Sequence, residues 1–371
     1  MVINLLETSL ELIKIFIKNG YEAYLVGGFV RDYVLKRKSS DVDVCTNATP
    51  MQIKEIFKGV KVPFERYGSV HLTYKKINFE ITTYRIDIVY ENGRSPSKIS
   101  YTNDLLTDLK RRDFVINTLC MDSNGKIIDL LGAKEDIKNK IIRSIGDPNI
   151  RLKEDVLRIL RAIRFATELN FRLDDKLEKA IINNASLLDN LSYYRKKQEL
   201  NKIFSSDNAI LGINMIKSLK LESHLGINLS KNIVKTSDPI GMWLQVEPNS
   251  KYQFTNNEKQ YMKSILAILK DGNINDMELY RNGAYVCYIA AQILNINTSD
   301  IYDRYDKLPI KNRNDIALSP LEMIELLKIK NKSKLGDIIS DVESKIIKHM
   351  LRNDKESLSR YLIDTYDNNV L

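Results

Sequence analysis

"AYLVGGFVRDYVLKRKSSDVDVCT", residues 23–46, is the stretch on which the fold turns. An apolar run ends in Gly27 and Gly28, Arg31 follows, and Asp41 and Asp43 stand one residue apart. The pattern predicts a strand ending in a glycine turn, a short helix over "FVRDYVLKR" and a second strand over "SDVDVCT". Side chains alternate along a strand, so Asp41 and Asp43 share one face while Val42 and Val44 point into a core. Two carboxylates held that close repel, which raises at least one pKa unless a cation balances them. Mg2+ would do so, because hard cations take carboxylate oxygens, and a nucleotide's phosphates would complete the coordination. For an isolated D-x-D, two solvated acids on an exposed strand face explain the pattern equally well.

The neighbours of the acidic pair favour the metal. Glycines let backbone N–H groups approach a phosphate at the strand-to-helix turn, and Arg31 can offer a planar fork to the same anion. The stretch has neither the G-K-[ST] of a Walker loop nor the spacing of a dinucleotide fingerprint. Outward from it, residues 4–18 predict an amphipathic helix, and "ATPMQIKEIFKG" opens with a threonine and a proline placed to start another. "VPFERYG", "SVHLTYKK" and "INFEITTYR" predict three strands. Beyond residue 103 the periodicity is helical, with turn signals at 146–149, 205–209 and 248–251. Strands cluster early and helices late, so the expected class is α+β: an α/β head followed by an all-helical remainder.

The totals agree with a folded protein in 371 residues, of which 43% are hydrophobic and 28% charged. The longest apolar run, "AYVCYIAAQIL" at 284–294, falls short of the roughly 18 residues a spanning helix needs. No membrane partner is expected, no signal peptide is recognised at the start, and a cytoplasmic location is expected. Cys45, Cys120 and Cys287 lie far apart in apolar contexts, as reduced core thiols would. The net charge of +9 suits a polyanionic partner, although a solvated basic face would produce it too. Three scattered histidines argue against a histidine-rich metal site.

Two later motifs carry chemistry. In "DLKRRDFVINTL" (108–119), Asp113 is placed to cap a helix whose apolar residues face inward. In "KEDVLRILRAIRF", at about 100° per residue from Asp155, Arg158, Arg161 and Arg164 fall near −60°, −120° and −180°. Val156, Ile159, Leu160, Ile163 and Ala166 occupy the other side. The arginines form one basic arc that lacks the mixed Glu and Lys of an ordinary solvated face.

"LVGGFVRD" with "SDVDV", then "FEITTYR" (79–85), "DLKRRDFVINTL", the segment 129–171 and, more loosely, "YRKKQELNKIF" (194–204) together resemble the class II nucleotidyltransferases of the poly(A) polymerase and tRNA CCA-adding type. The match covers about residues 20–205 and then fades. The resemblance implies a polymerase-beta-like head over 1–145, a helical neck over 146–205 that recognises the base, and a helical body and tail over 206–371 that bind tRNA. It implies Asp41 and Asp43 as catalytic and Mg2+-binding residues. Gly28, Arg31 and Arg112 would then position phosphates, Asp155 and Arg158 would read the base edge, and Arg161 and Arg164 would hold the triphosphate or support the pocket. Glu80 could be a third acid or could pair with a lysine.

The implied activity is addition of C, C and A to the tRNA 3′ end from CTP and ATP, without a nucleic-acid template and with release of pyrophosphate. The enzyme would act as a monomer or homodimer. Residues 86–110 resemble the complete flexible loop of CCA-adding members, which favours them over CC-adding, A-adding or poly(A)-synthesising relatives. A catalytically silent RNA-binding relative would have little reason to keep both aspartates.

Overall fold

The computed structural model describes residues 4–39, 41–58, 61–64, 68–90, 96–329 and 334–366. The chain divides into two compact units, Met1–Asn228 and Leu229–Leu371.

In the first unit, α1 (Leu5–Lys18) is capped by the Asn4 side chain and buries Leu12, Ile13 and Phe16. Then follow β1 (Ala23–Val26), α2 (Gly28–Val34) and β2 (Val42–Thr46), in the order the opening stretch predicts. Helix α3 (Pro50–Ile56) starts on a reciprocal cap, Thr49 with Gln52, and carries proline in its first turn, where the missing N–H costs nothing. The three expected strands are β3 (Lys61–Phe64), β4 (Ser69–Tyr74) and β5 (Ile77–Thr83). Residues 65–67 of the first lie outside the described residues.

The segment expected as a flexible loop contains a hairpin of β6 (Arg85–Tyr90) and β7 (Pro96–Tyr101), then α4 (Leu105–Lys110). Its residues 91–95 lie outside the described residues. Two-residue strands β8 (Cys120–Met121) and β9 (Ile127–Ile128) complete a seven-stranded sheet of order β3-β4-β5-β2-β1-β8-β9. Within it β2 and β5 run parallel, and the other neighbours are antiparallel. These short strands interrupt the region whose pattern predicts helices alone; they are too short for a period of two to register.

Past the sheet come α5 (Ala133–Lys138), β10 (Ile141–Ile142), α6 (Pro148–Glu154), α7 (Leu157–Leu169), β11 (Arg172–Leu173) and α8 (Asp175–Asn183). Helices α9 (Tyr193–Ser205), α10 (Ala209–Ser218) and α11 (Glu222–Leu225) close the unit. Asp147 caps α6 and Pro148 opens it, which is the turn signal at 146–149. The apolar stripe of α7 is buried as its periodicity predicts: Ile159, Leu160, Ile163 and Ala166 are fully enclosed. Each large side chain so enclosed contributes about 1.5–3 kcal/mol relative to exposure.

The second unit is helical: α12 (Pro239–Gln245), α13 (Asn256–Asp271), α14 (Asp276–Leu294), α15 (Ile301–Asp306), α16 (Pro320–Leu327), α17 (Leu335–Ile347) and α18 (Lys355–Tyr366). Its core includes Ile268, Leu279, Val286, Val342, Ile346 and Leu358. The longest apolar run forms the C-terminal part of α14, beyond a non-helical Gly283 (φ 77°, ψ 163°). Among the described residues no helix is long and apolar enough to cross a membrane.

The three cysteines are free and buried, as their apolar contexts predict. Cys45 and Cys120 nevertheless belong to one small cluster with Val26, Tyr84 and Leu109, because β2 and β8 flank β1 on either side. Their distance in sequence conceals that closeness.

Helix α10 packs closely enough on α7 and α9 to require a glycine. A Cβ on Gly212 would meet Thr167 Oγ1 at 2.5 Å and Ile203 Cγ2 at 2.6 Å. Gly212→Ala is therefore expected to destabilise the protein by about 1–3 kcal/mol through overpacking, read as a lowered urea midpoint with an unchanged slope.

Candidate active site

Register places the first carboxylate. Asp43 on β2 lies opposite Val26 of β1 and Glu80 of β5, while Val42 and Val44 are buried on the other face. Asp41 lies just before the strand. Both aspartates line a cavity of about 600 Å³ in the first unit, together with Gly28, Arg31, Arg112, Asp155, Arg158, Arg161 and Arg164. All nine residues picked out in the sequence thus meet in one cavity. Burial and then the Glu80 charge push the Asp43 carboxyl up to about 6; Asp41 adds to the rise and Arg112 opposes it. Glu80 shares a smaller adjoining cavity with Asp43, Arg111 and Arg112.

Of the two glycines, Gly27 is the one with no substitute. Its φ of 76° suits glycine, and a Cβ there would lie 3.2 Å from Asp43 Oδ2 and 3.7 Å from Arg112 Nη1. Gly28 begins α2. The Arg31 guanidinium is buried; Nε and Nη2 donate to Asp32 at 3.0 Å, and Nη1 donates to Asn117 Oδ1 at 2.7 Å. The fork that the sequence offers to a phosphate is therefore engaged by the adjacent aspartate, leaving one donor on each terminal nitrogen.

Asp108, fully buried on α4, holds the next pair. It accepts from Arg111 Nε at 2.8 Å, from Arg112 Nη2 at 3.3 Å and from the Arg85 backbone N–H at 3.2 Å. Although burial alone would lower it, the Arg112 pKa is raised by Asp108, with Asp43 contributing. Arg112 stays charged beside the acidic pair.

Two details of the site differ from what the sequence predicts. Asp113 does not cap an α-helix. The segment after it is a single 3-10 turn, Val115–Asn117. One Asp113 oxygen accepts from Phe114 N and Asn117 Nδ2, while the other takes Arg161 Nε at 2.9 Å and Arg161 Nη2. Burial would raise this carboxyl, but Arg161 and these hydrogen bonds hold it well below the usual range. Asp155 also leaves the wheel on which the basic arc was drawn. Helix α6 ends at Glu154, Asp155 is extended (φ −143°, ψ 104°), and α7 begins at Leu157. The Asp155 side chain accepts from Leu157 N at 3.1 Å, which satisfies a free N–H at the start of the new helix.

The arginine arc itself stands, but it is not a solvated face. Arg158 is 6% exposed and donates to Glu154 Oε2 at 3.0 Å. Arg164 Nε contacts Glu199 at 2.8 Å without hydrogen-bond alignment. Phe165 lies beneath three cations, with Arg31 and Arg161 at 5.3 Å and Arg164 at 4.2 Å from its ring centre. The sequence pattern gave no functional weight to Phe165, Glu154, Asp108 or Arg195 of α9, which also lines the cavity. Arg195 is the arginine of the "YRKK" run at 194–197 and could have been found there; Phe165 has no such signal, since it reads as core.

Known proteins match this arrangement from end to end. The Poly A polymerase head domain covers residues 23–143, the "Probable RNA and SrmB-binding site of polymerase A" covers 170–226, and tRNA nucleotidyltransferase domain 2 covers 250–362. The CCA-adding enzyme of Ligilactobacillus salivarius is 31% identical over 91% of this chain and 91% of its own. The chain belongs to the CCA-adding enzyme family. Like the family, it is a nucleotidyltransferase.

The Staphylococcus epidermidis member is 29% identical over 96% of this chain and 97% of its own. The crystal structure of the Bacillus stearothermophilus CCA-adding enzyme in complex with CTP superposes over 96% of both chains, with a TM-score of 0.86 and 25% identity. The Thermotoga maritima CCA-adding enzyme complexed with tRNA-CCA shares the fold over 97% of this chain, with a TM-score of 0.68 and 19% identity. The similarity therefore runs past residue 205, where the recognisable motifs end.

The Asp113–Arg161 pair ties the segment after α4 to α7. Asp113→Asn leaves Arg161 without its charge partner and is expected to cost about 3 kcal/mol at neutral pH. Because the folded carboxyl is depressed, its contribution is full above the unfolded value, about 3.9, and declines below it. Urea melts of wild type and Asp113→Asn should differ by a constant amount from pH 7 down to about 5 and converge as the pH falls below about 4.

Proposed function

We propose that this chain adds C, C and A to the 3′ end of tRNA from CTP and ATP, releasing pyrophosphate at each step. One observation carries the reading: the acidic pair of the sheet and the arginine array of the neck face one cavity sized for a nucleotide. In this reading residues 1–145 are the catalytic head, 146–205 the base-reading neck and 206–371 the body and tail that bind tRNA. The net charge of +9 suits a polyanion. Two late basic segments, 328–334 and 348–355, would follow the RNA by charge, and the first lies partly outside the described residues. Substrates of this kind place the work in the cytoplasm.

The residues fit a divalent cation. Asp41 and Asp43 are hard oxygen donors lining one cavity, and the Asp43 carboxyl, raised first by burial and then by the Glu80 charge, is one that a bound cation would favour in its ionised form. They would hold Mg2+, which when bound lowers the pKa of the attacking 3′-hydroxyl and stabilises charge on the α-phosphate and leaving group. The 3′-oxygen forms its bond to the α-phosphorus as the bond from phosphorus to the bridging oxygen breaks, and pyrophosphate leaves.

The protein's own share is orientation and charge. Arg112, pinned by Asp108, and the free N–H groups of Arg31 stand where they can hold phosphates, with the backbone at Gly28 close by. Arg161 and Arg164, fixed against Asp113 and Glu199, extend the same positive wall. Asp155 keeps one carboxylate oxygen for an amino group of cytosine or adenine, and Arg158 donates to the ring acceptors.

Incubation with tRNA lacking its 3′ end, Mg2+ and each labelled nucleotide tests the reading. Addition should stop after C, C and A; a long A tail or two C residues alone would sink it. Asp41→Ala or Asp43→Ala should slow addition about a thousandfold, the several kcal/mol a catalytic metal supplies, while tRNA retention on a filter stays nearly unchanged. Asp155→Ala should lower the preference for CTP over UTP about tenfold, scored from the same gels.

A further inference from the structure

The cavity's base-reading arginine is not held by its neighbours at random. Arg158 has five N–H donors. Nη1 spends its two on the Arg151 carbonyl at 2.7 Å and Glu154 Oε2 at 3.0 Å, and Nη2 leans on the Arg111 carbonyl at 3.4 Å. What remains is Nε–H and one Nη2–H. These two donors complement O2 and N3 of cytosine, or a ring nitrogen of adenine. They oppose uracil and guanine, which present an N–H at the same place.

Which donors are left is decided through Arg151. Its Nη1 meets the Glu154 oxygen that Arg158 also uses, and its Nη2 donates to the carbonyls of Arg111 at 2.5 Å and Arg112 at 2.7 Å. Its own carbonyl is the acceptor that occupies Arg158 Nη1. One buried guanidinium therefore grips the backbone that carries Arg112 while its main chain and carboxylate partner orient Arg158.

We propose that Arg151 is a positioning residue: with Glu154 it fixes which two N–H groups of Arg158 are left for the incoming base and ties them to the phosphate-binding segment Arg111–Arg112. It deepens the reading of this cavity as a nucleotide site and rests on it. Lysine at 151 keeps the charge but has no fork with which to hold two carbonyls and a carboxylate at once.

The test is equilibrium binding of CTP, ATP, UTP and GTP, by calorimetry and without tRNA, to wild type, Arg151→Lys and Glu154→Gln. Far-ultraviolet circular dichroism checks the fold. Wild type should prefer CTP and ATP, and in both variants the ratio of CTP to UTP affinity should fall about tenfold. A folded variant with an unchanged ratio, an equal loss for all four nucleotides, or a wild type without preference would overturn the proposal. Glu154→Gln keeps it testable if Arg151→Lys does not fold. Extension of tRNA by the same wild-type preparation stands apart: its failure sinks CCA addition whatever the binding ratios are.

Discussion

Arginines can be crowded onto one cavity wall when carboxylates stand behind them. Among the described residues, eight arginines line the cavity, against seven aspartates and glutamates. Without pairing, desolvation and mutual repulsion would push the guanidinium groups apart or out into water. The structure gives seven of them partners: Asp32 to Arg31, Asp87 to Arg85, Asp108 to Arg111 and Arg112, Glu154 to Arg158, Asp113 to Arg161, Glu199 to Arg164. Breaking such a pair leaves a charge without compensation, which is why the pairs fix geometry more than they add stability. Phe165 contributes a surface on which three of the cations stack.

The acids at the other wall are placed by the sheet. Parallel pairing of β2 with β5 and antiparallel pairing with β1 set Asp43 between Glu80 and Val26. A slip of one residue would turn Asp43 into the core and Val42 into the cavity. The seven strands thus act chiefly as a ruler. Gly27 closes the ruler's end: its positive φ and absent side chain let the β1–α2 turn pass within contact of both Asp43 and Arg112.

How legible this was depended on period. Asp41 and Asp43 could be read because a strand alternates with a period of two, and Arg158, Arg161 and Arg164 because three-residue steps keep one side of a helix. The break at Asp155 could not be read, since no proline or glycine marks it. It is made by side chains, with Asp155 taking Leu157 N and Glu154 drawn to Arg151 and Arg158. Asp113 looked like a cap because it precedes an apolar run, while its partner Arg161 lies 48 residues away. Arg151 carries no signal of its own in the sequence, because its proposed role depends on two carbonyls that sequence does not display. In the second unit the helices were legible and their contribution was not, because the recognisable motifs end near residue 205.

Reading a base with side chains demands that donors and acceptors keep their directions when the base is absent. A carboxylate and a guanidinium on a flexible loop would rotate, and each rotation would offer a different pattern to the wrong nucleotide. In the proposed reading the acceptor, Asp155, sits at an extended residue between two helices, and the donor, Arg158, is in the first turn of the second. Arg158 is tied to carbonyls and a carboxylate in a nearly dry environment, where hydrogen bonds are stronger than in water, while one Asp155 oxygen is held by the Leu157 N–H. In the proposed reading, selectivity comes from donors that are already used: with three of the five N–H groups of Arg158 consumed, the other two can donate only to a base that presents acceptors there.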